Sequence, residues 1–239
     1  MKNDSNIGVA NSNNEQQQQK WLTVLGDDPG SVNYGRSLLQ VSNVGDKIKF
    51  KLVGSWLVTK TIRNEWLKGT ADLSILDILK KYRKYCKTTL KKHGPFDIAI
   101  AERFMPRGGT GTVQGAEVVS FMLGQSMITF NPKVLCKIIP AVTWKTQIKR
   151  YYSLDVLYGL INPCPNHLLD SVFIALYAAY FHYGIKPFST LTRKDIAYII
   201  SHLKRIGVKI KIKEDKLKAM DKNKPKPIAV KSRRKSKKK

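Results

Sequence analysis

Apolar and polar residues alternate most sharply near the start of the chain, where Ile48, Phe50 and Leu52 are interleaved with Lys47, Lys49 and Lys51. A period of two places the apolar set on one face of a strand and the lysines on the other. Two shorter apolar runs come first. Residues 21–25 form one predicted strand, which stops at the turn residues Gly26-Asp27-Asp28-Pro29-Gly30, and residues 36–41 form another. The period then changes. Over residues 73–92, Leu76, Leu79, Cys86 and Leu90 recur at helical spacing, and Gly94-Pro95 ends the helix. A fourth strand over 96–101 delivers Glu102 at its end. The glycine-rich turn 108–111 leads into a helix over 112–129, and a fifth strand covers 134–139. Helices are predicted at 143–151, at 166–181, and at 192–205 with Thr192 as N-cap. The helix over 166–181 is so apolar that it must be largely buried. Strands first, then alternating helix and strand, predict an α/β fold: a mixed sheet covered by helices.

Composition adds domain limits and a partner. The chain has 239 residues, 42% of them hydrophobic, enough for one real core. Residues 1–19 are rich in Asn, Gln and Ser, and residues 221–239 contain KPKP and KSRRKSKKK. Neither segment holds enough apolar surface to offset its ordering entropy, so both are predicted to be disordered tails. Between them lie an expected domain at 20–183 and a helical extension at 184–220. Lys and Arg total 43 against 17 Asp and Glu, a net charge of +26. Residues 209–239 carry 15 basic and 3 acidic groups, or +12, which leaves +14 on the body. A basic tail alone does not explain this balance, and a polyanion such as nucleic acid is the expected partner. The longest nearly apolar run, 172–181, is too short to span a bilayer, and no lipidation signal accompanies the basic tail. Cys86, Cys136 and Cys164 are scattered with no CxxC pair, which argues against a zinc site and suits a reducing compartment. A soluble, cytoplasmic protein with no membrane partner is expected.

Few acids lie among apolar residues. Asp28 closes the first strand, Glu102 closes the fourth, and Asp170 sits inside the apolar helix three residues after His167, on the same helix face. A carboxylate against an apolar face is costly unless it is paired or binds a cation. Hard cations take oxygen ligands, and two Mg²⁺ ions ~3.5–4 Å apart can activate water and stabilise a leaving oxygen at a phosphodiester. His167 can serve as a ligand or a proton carrier. Taken singly, each residue also has an ordinary reading. D-P-G-S is turn chemistry, Glu102 is a salt-bridge partner for Arg103 or Arg107, and His167 is a helix cap.

Their order along the chain resembles the RuvC family of Holliday junction resolvases. Leu25-Gly26-Asp27-Asp28-Pro29-Gly30-Ser31 is similar to that family's first strand and its G-x-D-P-G-S, with Asp27 standing where an apolar residue is usual. Ala99-Ile100-Ala101-Glu102-Arg103-Phe104 is similar to its fourth strand, and His167-Leu168-Leu169-Asp170-Ser171 to its last acidic pair. The resemblance covers residues 20–183. It implies an RNase H-like five-stranded mixed sheet, with Asp28, Glu102, His167 and Asp170 as catalytic and metal-binding residues. It implies Mg²⁺, with Mn²⁺ as a possible substitute. It also implies branched DNA, chiefly four-way junctions, as substrate, and a homodimer. The interface would use the helix after the Glu, where Ala116, Val119, Phe121, Met122 and Leu123 either serve or face the sheet. Lys145 falls where the family has a basic residue near the scissile phosphate. Arg103, Arg107, Lys149 and Arg150 complete the expected DNA contacts. Two alternatives share these residues or this charge: another RNase H-like nuclease, cutting RNA–DNA hybrids or other branched DNA, and a non-catalytic basic protein that binds nucleic acid. In the latter, Tyr82, Tyr85, Tyr151 and Tyr152 would stack on bases rather than lie half-buried. A kinase- or actin-like ATPase lacks support, because neither a second Asp-rich loop nor a Walker A pattern is present.

Overall fold

The computed structural model describes residues 20–30, 34–58, 75–105, 113–161 and 166–205. Both predicted tails, Ser31, the glycine-rich turn at 108–111, Arg107, Cys164, the first two residues of the first predicted helix and residues 206–220 of the predicted extension lie outside them.

Five strands are present among the described residues: β1 (Leu22–Asp28), β2 (Gly35–Val44), β3 (Lys47–Leu57), β4 (Ile98–Glu102) and β5 (Leu135–Ile139). They form one sheet in the order β3-β2-β1-β4-β5. β1–β2 and β2–β3 are antiparallel, whereas β1–β4 and β4–β5 are parallel. This is the expected mixed five-stranded sheet.

β1 runs three residues beyond its predicted stop. The turn chemistry of Gly26, Asp27 and Asp28 is overridden because Asp27 pairs with Arg36 on one side and Ala101 on the other. β2 and β3 are also longer than the apolar pattern suggests. They meet at a tight turn in which Gly45 adopts φ +60°, a conformation cheap only for glycine.

Among the described residues, six helices flank the sheet: α1 (Ile75–His93), α2 (Val113–Phe130), α3 (Ala141–Lys149), α4 (Leu154–Ile161), α5 (Asn166–His182) and α6 (Arg193–Arg205). α3 starts two residues before the predicted helix, directly after Pro140. α4 lies in a stretch for which the sequence reading assigned no element. Its LDVLYGLI is too short and too continuously apolar for a helical period to stand out.

Alternation along the strands sorts the core into two layers. Val24, Leu39, Ile98 and Ile100 face Trp144 of α3, Leu157 of α4, Phe173 and Leu176 of α5, and Ile199 of α6. Their neighbours Leu25, Leu38, Ala99 and Ala101 face Tyr82 and Cys86 of α1 and Met122, Leu123 and Phe130 of α2. Each large side chain buried this way contributes roughly 1.5–3 kcal/mol. α6 is capped as predicted: the Asp195 N–H donates to Thr192 Oγ1 at 3.2 Å, and the Thr192 N–H donates to the Asp195 carboxylate at 2.7 Å. Phe188, Ile196, Ile200 and Leu203 join the α5 layer, so residues 188–203 share the core of the domain before them.

Candidate active site

Two close approaches bring α5 onto the sheet. A Cβ at Gly26 would lie 2.3 Å from the Ser171 carbonyl oxygen, and one at Gly35 would lie 2.0 Å from that of His167. Only glycine lets the helix backbone come this near β1 and β2. The first two turns of α5 therefore hang over the end of β1. Because Asp27 pairs with Ala101, the next residues, Asp28 and Glu102, end adjacent parallel strands side by side. Both follow the parity of Val24 and Ile98, which places them on the α5 face of the sheet.

The four predicted residues converge there. His167 Nδ1 lies 2.7 Å from Asp28 Oδ2. Trp144 Nε1 donates to Glu102 Oε2 at 2.8 Å, and the Tyr158 hydroxyl donates to Asp170 Oδ1 at 2.8 Å. Lys145 Nζ sits between two carboxylates, 3.6 Å from Glu102 Oε2 and 3.2 Å from Asp170 Oδ2. Asp28 and Asp170 are buried, 3% and 4% exposed.

Burial and mutual repulsion mark this site. Asp170 is pushed up to about 7, first by desolvation and then by the charge of Asp28, against the pull of Lys145 and Tyr158. Desolvation and Asp28 also raise Glu102. Burial pulls His167 and Lys145 down. In His167 the bond to Asp28 and its charge outweigh that effect, and in Lys145 the charges of Asp170 and Glu102 do, so both finish raised. Among the described residues, three carboxylates thus face one permanent cation, and shifts of this kind cluster at functional sites.

The donor set is hard oxygen plus one imidazole, which fits Mg²⁺ or Mn²⁺ rather than a thiolate-preferring metal. Trp144 and Lys145 approach Glu102 at Oε2, and His167 approaches Asp28 at Oδ2. Among the described residues, no group of three His, Cys, Asp or Glu side chains is already gathered to hold an ion. The ammonium of Lys145 lies among those carboxylates instead.

Arg103 does not pair with Glu102. Its side chain is exposed, and its backbone N–H donates to Ile139 O at 2.7 Å. Arg107 lies outside the described residues. Lys149 and Arg150 are exposed at the C-terminal end of α3. Tyr82 is fully buried, and Tyr85, Tyr151 and Tyr152 are half-buried, the structural alternative to base stacking.

Sequence reasoning missed Trp144 and Tyr158, which reach the carboxylates across 42 and 12 residues. It also missed Asp27, read only as an odd residue at an apolar position. Asp27 points to the opposite face, where Arg36 binds both its oxygens at 2.7 Å and Tyr34 donates at 2.8 Å. A second acid next to Asp28, with an arginine inside the neighbouring predicted strand, was the available signal.

No protein-family model matches the chain, and no curated protein matches it in sequence. Among solved structures, the chain is similar to Thermus thermophilus RuvC, with 18% identity and a TM-score of 0.49 over 70% of this chain and 99% of that one. It is similar to T. thermophilus RuvC in complex with a Holliday junction substrate, at 20% and 0.48 over 68% and 97%. It is also similar to the yeast mitochondrial Holliday junction resolvase Ydc2, at 14% and 0.45 over 77% and 84%.

Proposed function

We propose that the protein is a metal-dependent endonuclease that cuts branched DNA, chiefly four-way junctions, by paired phosphodiester hydrolysis. The observation that carries this reading is the meeting of Asp28, Glu102 and Asp170 with His167 at one end of the sheet, where buried negative charge exceeds the positive charge beside it. A site built that way favours a divalent cation, and a surplus of +14 outside the basic C-terminal stretch favours a polyanionic substrate.

In this reading Asp28, Glu102 and Asp170 hold two Mg²⁺ ions, with His167 as a further ligand, and Mn²⁺ can substitute. Bound there, the ions would supply Lewis-acid activation of a water and charge neutralisation at the leaving oxygen. Trp144 and Tyr158 fix the Glu102 and Asp170 carboxylates through neutral donors. His167, bonded to Asp28, holds or moves a proton at Nδ1. Lys145 approaches the scissile phosphate, while Arg103, Arg107, Lys149 and Arg150 bind flanking phosphates without reading sequence. Residues 20–183 form the nuclease domain, 184–220 its extension, and the basic tail adds salt-dependent affinity.

The active form is a homodimer joined through α2. Val119, Met122 and Leu123 are buried and unavailable, but Phe121 and Ile128 are 54% and 78% exposed. The Ala116 side chain lies outside the described residues.

The test is incubation of a synthetic four-way junction, beside linear duplex, RNA–DNA hybrid and Y-shaped DNA, with Mg²⁺ and with EDTA. Paired, Mg²⁺-dependent nicks in the junction are expected. Asp28→Asn and Asp170→Asn should lose cutting by at least about 10³-fold while still shifting the junction on a gel. Cutting of the hybrid or fork instead would keep the site and change the substrate. Tight binding with no cutting of any substrate would leave a basic binding protein.

A further inference from the structure

Lys145 is placed where a cation of another kind is needed. Its ammonium lies 3.6 Å from Glu102 Oε2 and 3.2 Å from Asp170 Oδ2, beside the third carboxylate, Asp28. A like charge cannot share those oxygens with a divalent ion without strong repulsion. We propose that Lys145 is a built-in counter-ion, whose ammonium occupies the Glu102–Asp170 pair until a divalent cation displaces it towards solvent and frees it for a phosphate. This rests on the metal-dependent reading of the site and adds an exchange step to it.

Three observations support the exchange. First, neither carboxylate needs Lys145 to stay in place. Trp144 holds Glu102 and Tyr158 holds Asp170, each through a neutral donor at 2.8 Å. A neutral donor does not repel an incoming cation, so these bonds survive the exchange. Second, Lys145 has a way out. Its side chain is 27% exposed, against 14% for Glu102 and 6% for Asp170, so it reaches from the buried carboxylates to the surface. Its stem carries four rotatable carbons and ends in a compact charge, and a guanidinium would be held more rigidly. The ammonium lies 5.0 Å from the ring centre of Trp144, an aromatic face that can bear the charge along its path. Third, a cation offsets part of the carboxylate charge in both states. Without metal, the ammonium is the only permanent cation paired with this cluster among the described residues. With metal, the divalent ion takes over that charge, and the ammonium is released on the side open to a phosphodiester.

The experiment is calorimetric titration of Mg²⁺ into the metal-free full chain, without DNA, at pH 8.5. At that pH Asp170, pushed up to about 7 in the native protein, is ionised. Lys145→Met should bind Mg²⁺ at least about tenfold more tightly than wild type, since a cation within about 4–6 Å weakens a carboxylate's hold on a proton by roughly one to three powers of ten and repels a divalent ion at the same oxygens. Lys145→Arg keeps the charge on a fork that is harder to displace, and should bind no more tightly than wild type. It also stands in if the methionine variant fails to fold. Equal or weaker binding by Lys145→Met, tighter binding by Lys145→Arg, or no binding by any of the three proteins would overturn the exchange. Junction cleavage is read separately. Mg²⁺-dependent cutting by wild type, beside equal affinities, removes the counter-ion role and leaves the nuclease reading standing.

Discussion

Asp170 and His167 give the metal-free protein an unusual response to pH. An ordinary aspartate titrates near 4 in the unfolded chain. Asp170 in the folded protein is pushed up to about 7, so the native state binds a proton that the unfolded state has released. Its stabilising effect is present below about pH 4 and is lost as pH rises towards 7. His167 is raised as well; its contribution is complete below about pH 6.5 and is lost as pH climbs through its folded pKa. Both signs agree. In EDTA, stability should fall by on the order of 2 kcal/mol between pH 4.5 and 8, about 4–8 °C in Tm, and Mg²⁺ should restore it. A melting curve in EDTA that is flat or rises across that range would contradict the assignment. On the other face, Arg36 and Asp27 are both fully buried, with Tyr82 and Ser126 on the same guanidinium at 3.2 and 3.0 Å. Arg36 Nη1 has no hydrogen-bond partner, but the guanidinium lies 4.8 Å from the Phe130 ring centre. Arg36→Met would strand a buried carboxylate and should cost about 3–5 kcal/mol. The double variant Asp27→Leu with Arg36→Met should recover most of that loss in denaturant titrations, and a double variant as unstable as the single would show that the pair is not the source. The four residues that meet at the candidate site stood out in the sequence because three carboxylates lie among apolar residues, His167 shares a helix face with Asp170, and their order along the chain resembles a known family's. The Asp27–Arg36 pair was not, because only the register of β1 on β2 brings residues nine apart into contact.

At the level of elements, the site depends on how closely α5 lies on β1 and β2. Gly26 and Gly35 set that distance, and neither sits in a conformation closed to other residues. Space alone excludes a side chain, because the obstructing atoms are backbone carbonyls of α5. Gly35→Ala should push the His167 end of the helix outward, lower stability by about 1–3 kcal/mol and reduce cleavage at least tenfold, since the Asp28–His167 contact is only 2.7 Å long. The check is Tm and single-turnover rate measured together, and an unchanged rate at a lowered Tm would separate helix position from catalysis. This proximity explains what could be read in advance. The strands, and α1, α5 and α6, announce themselves through alternation, apolar content or caps. The end of β1 did not, because Gly26, Asp27 and Asp28, all with turn propensity, were drawn into a sheet, the first two with partners on both sides. α4 also escaped notice, although its Tyr158 touches Asp170. Eight residues with four buried among them carry too few turns for a period to emerge.

At the scale of the whole molecule, the proposed function asks for two strands of a junction to be cut, and the described residues of a chain gather one candidate site. α2 is the element on which a second copy would be recognised. Its inner side supplies Met122, Leu123 and Phe130 to the core beneath the sheet. Its outer side keeps Phe121 and Ile128 in water, seven residues and two turns apart, on either side of Gly124, above which a Cβ would meet nothing within 4 Å. Two large apolar groups flanking an open position match the knob and hole of a helix packed against its own copy. Ile128→Glu should therefore convert a dimer to a monomer in sedimentation velocity at micromolar concentration without lowering Tm of the isolated fold, because the residue contributes nothing to the core. The same variant should still nick junctions. Its two nicks, however, should appear independently, so a cruciform plasmid would accumulate as the singly nicked circle rather than passing directly to the linear form. If wild type sediments as a monomer and still linearises the cruciform in one binding event, α2 is not the joining element, and paired cutting must be organised by the DNA itself.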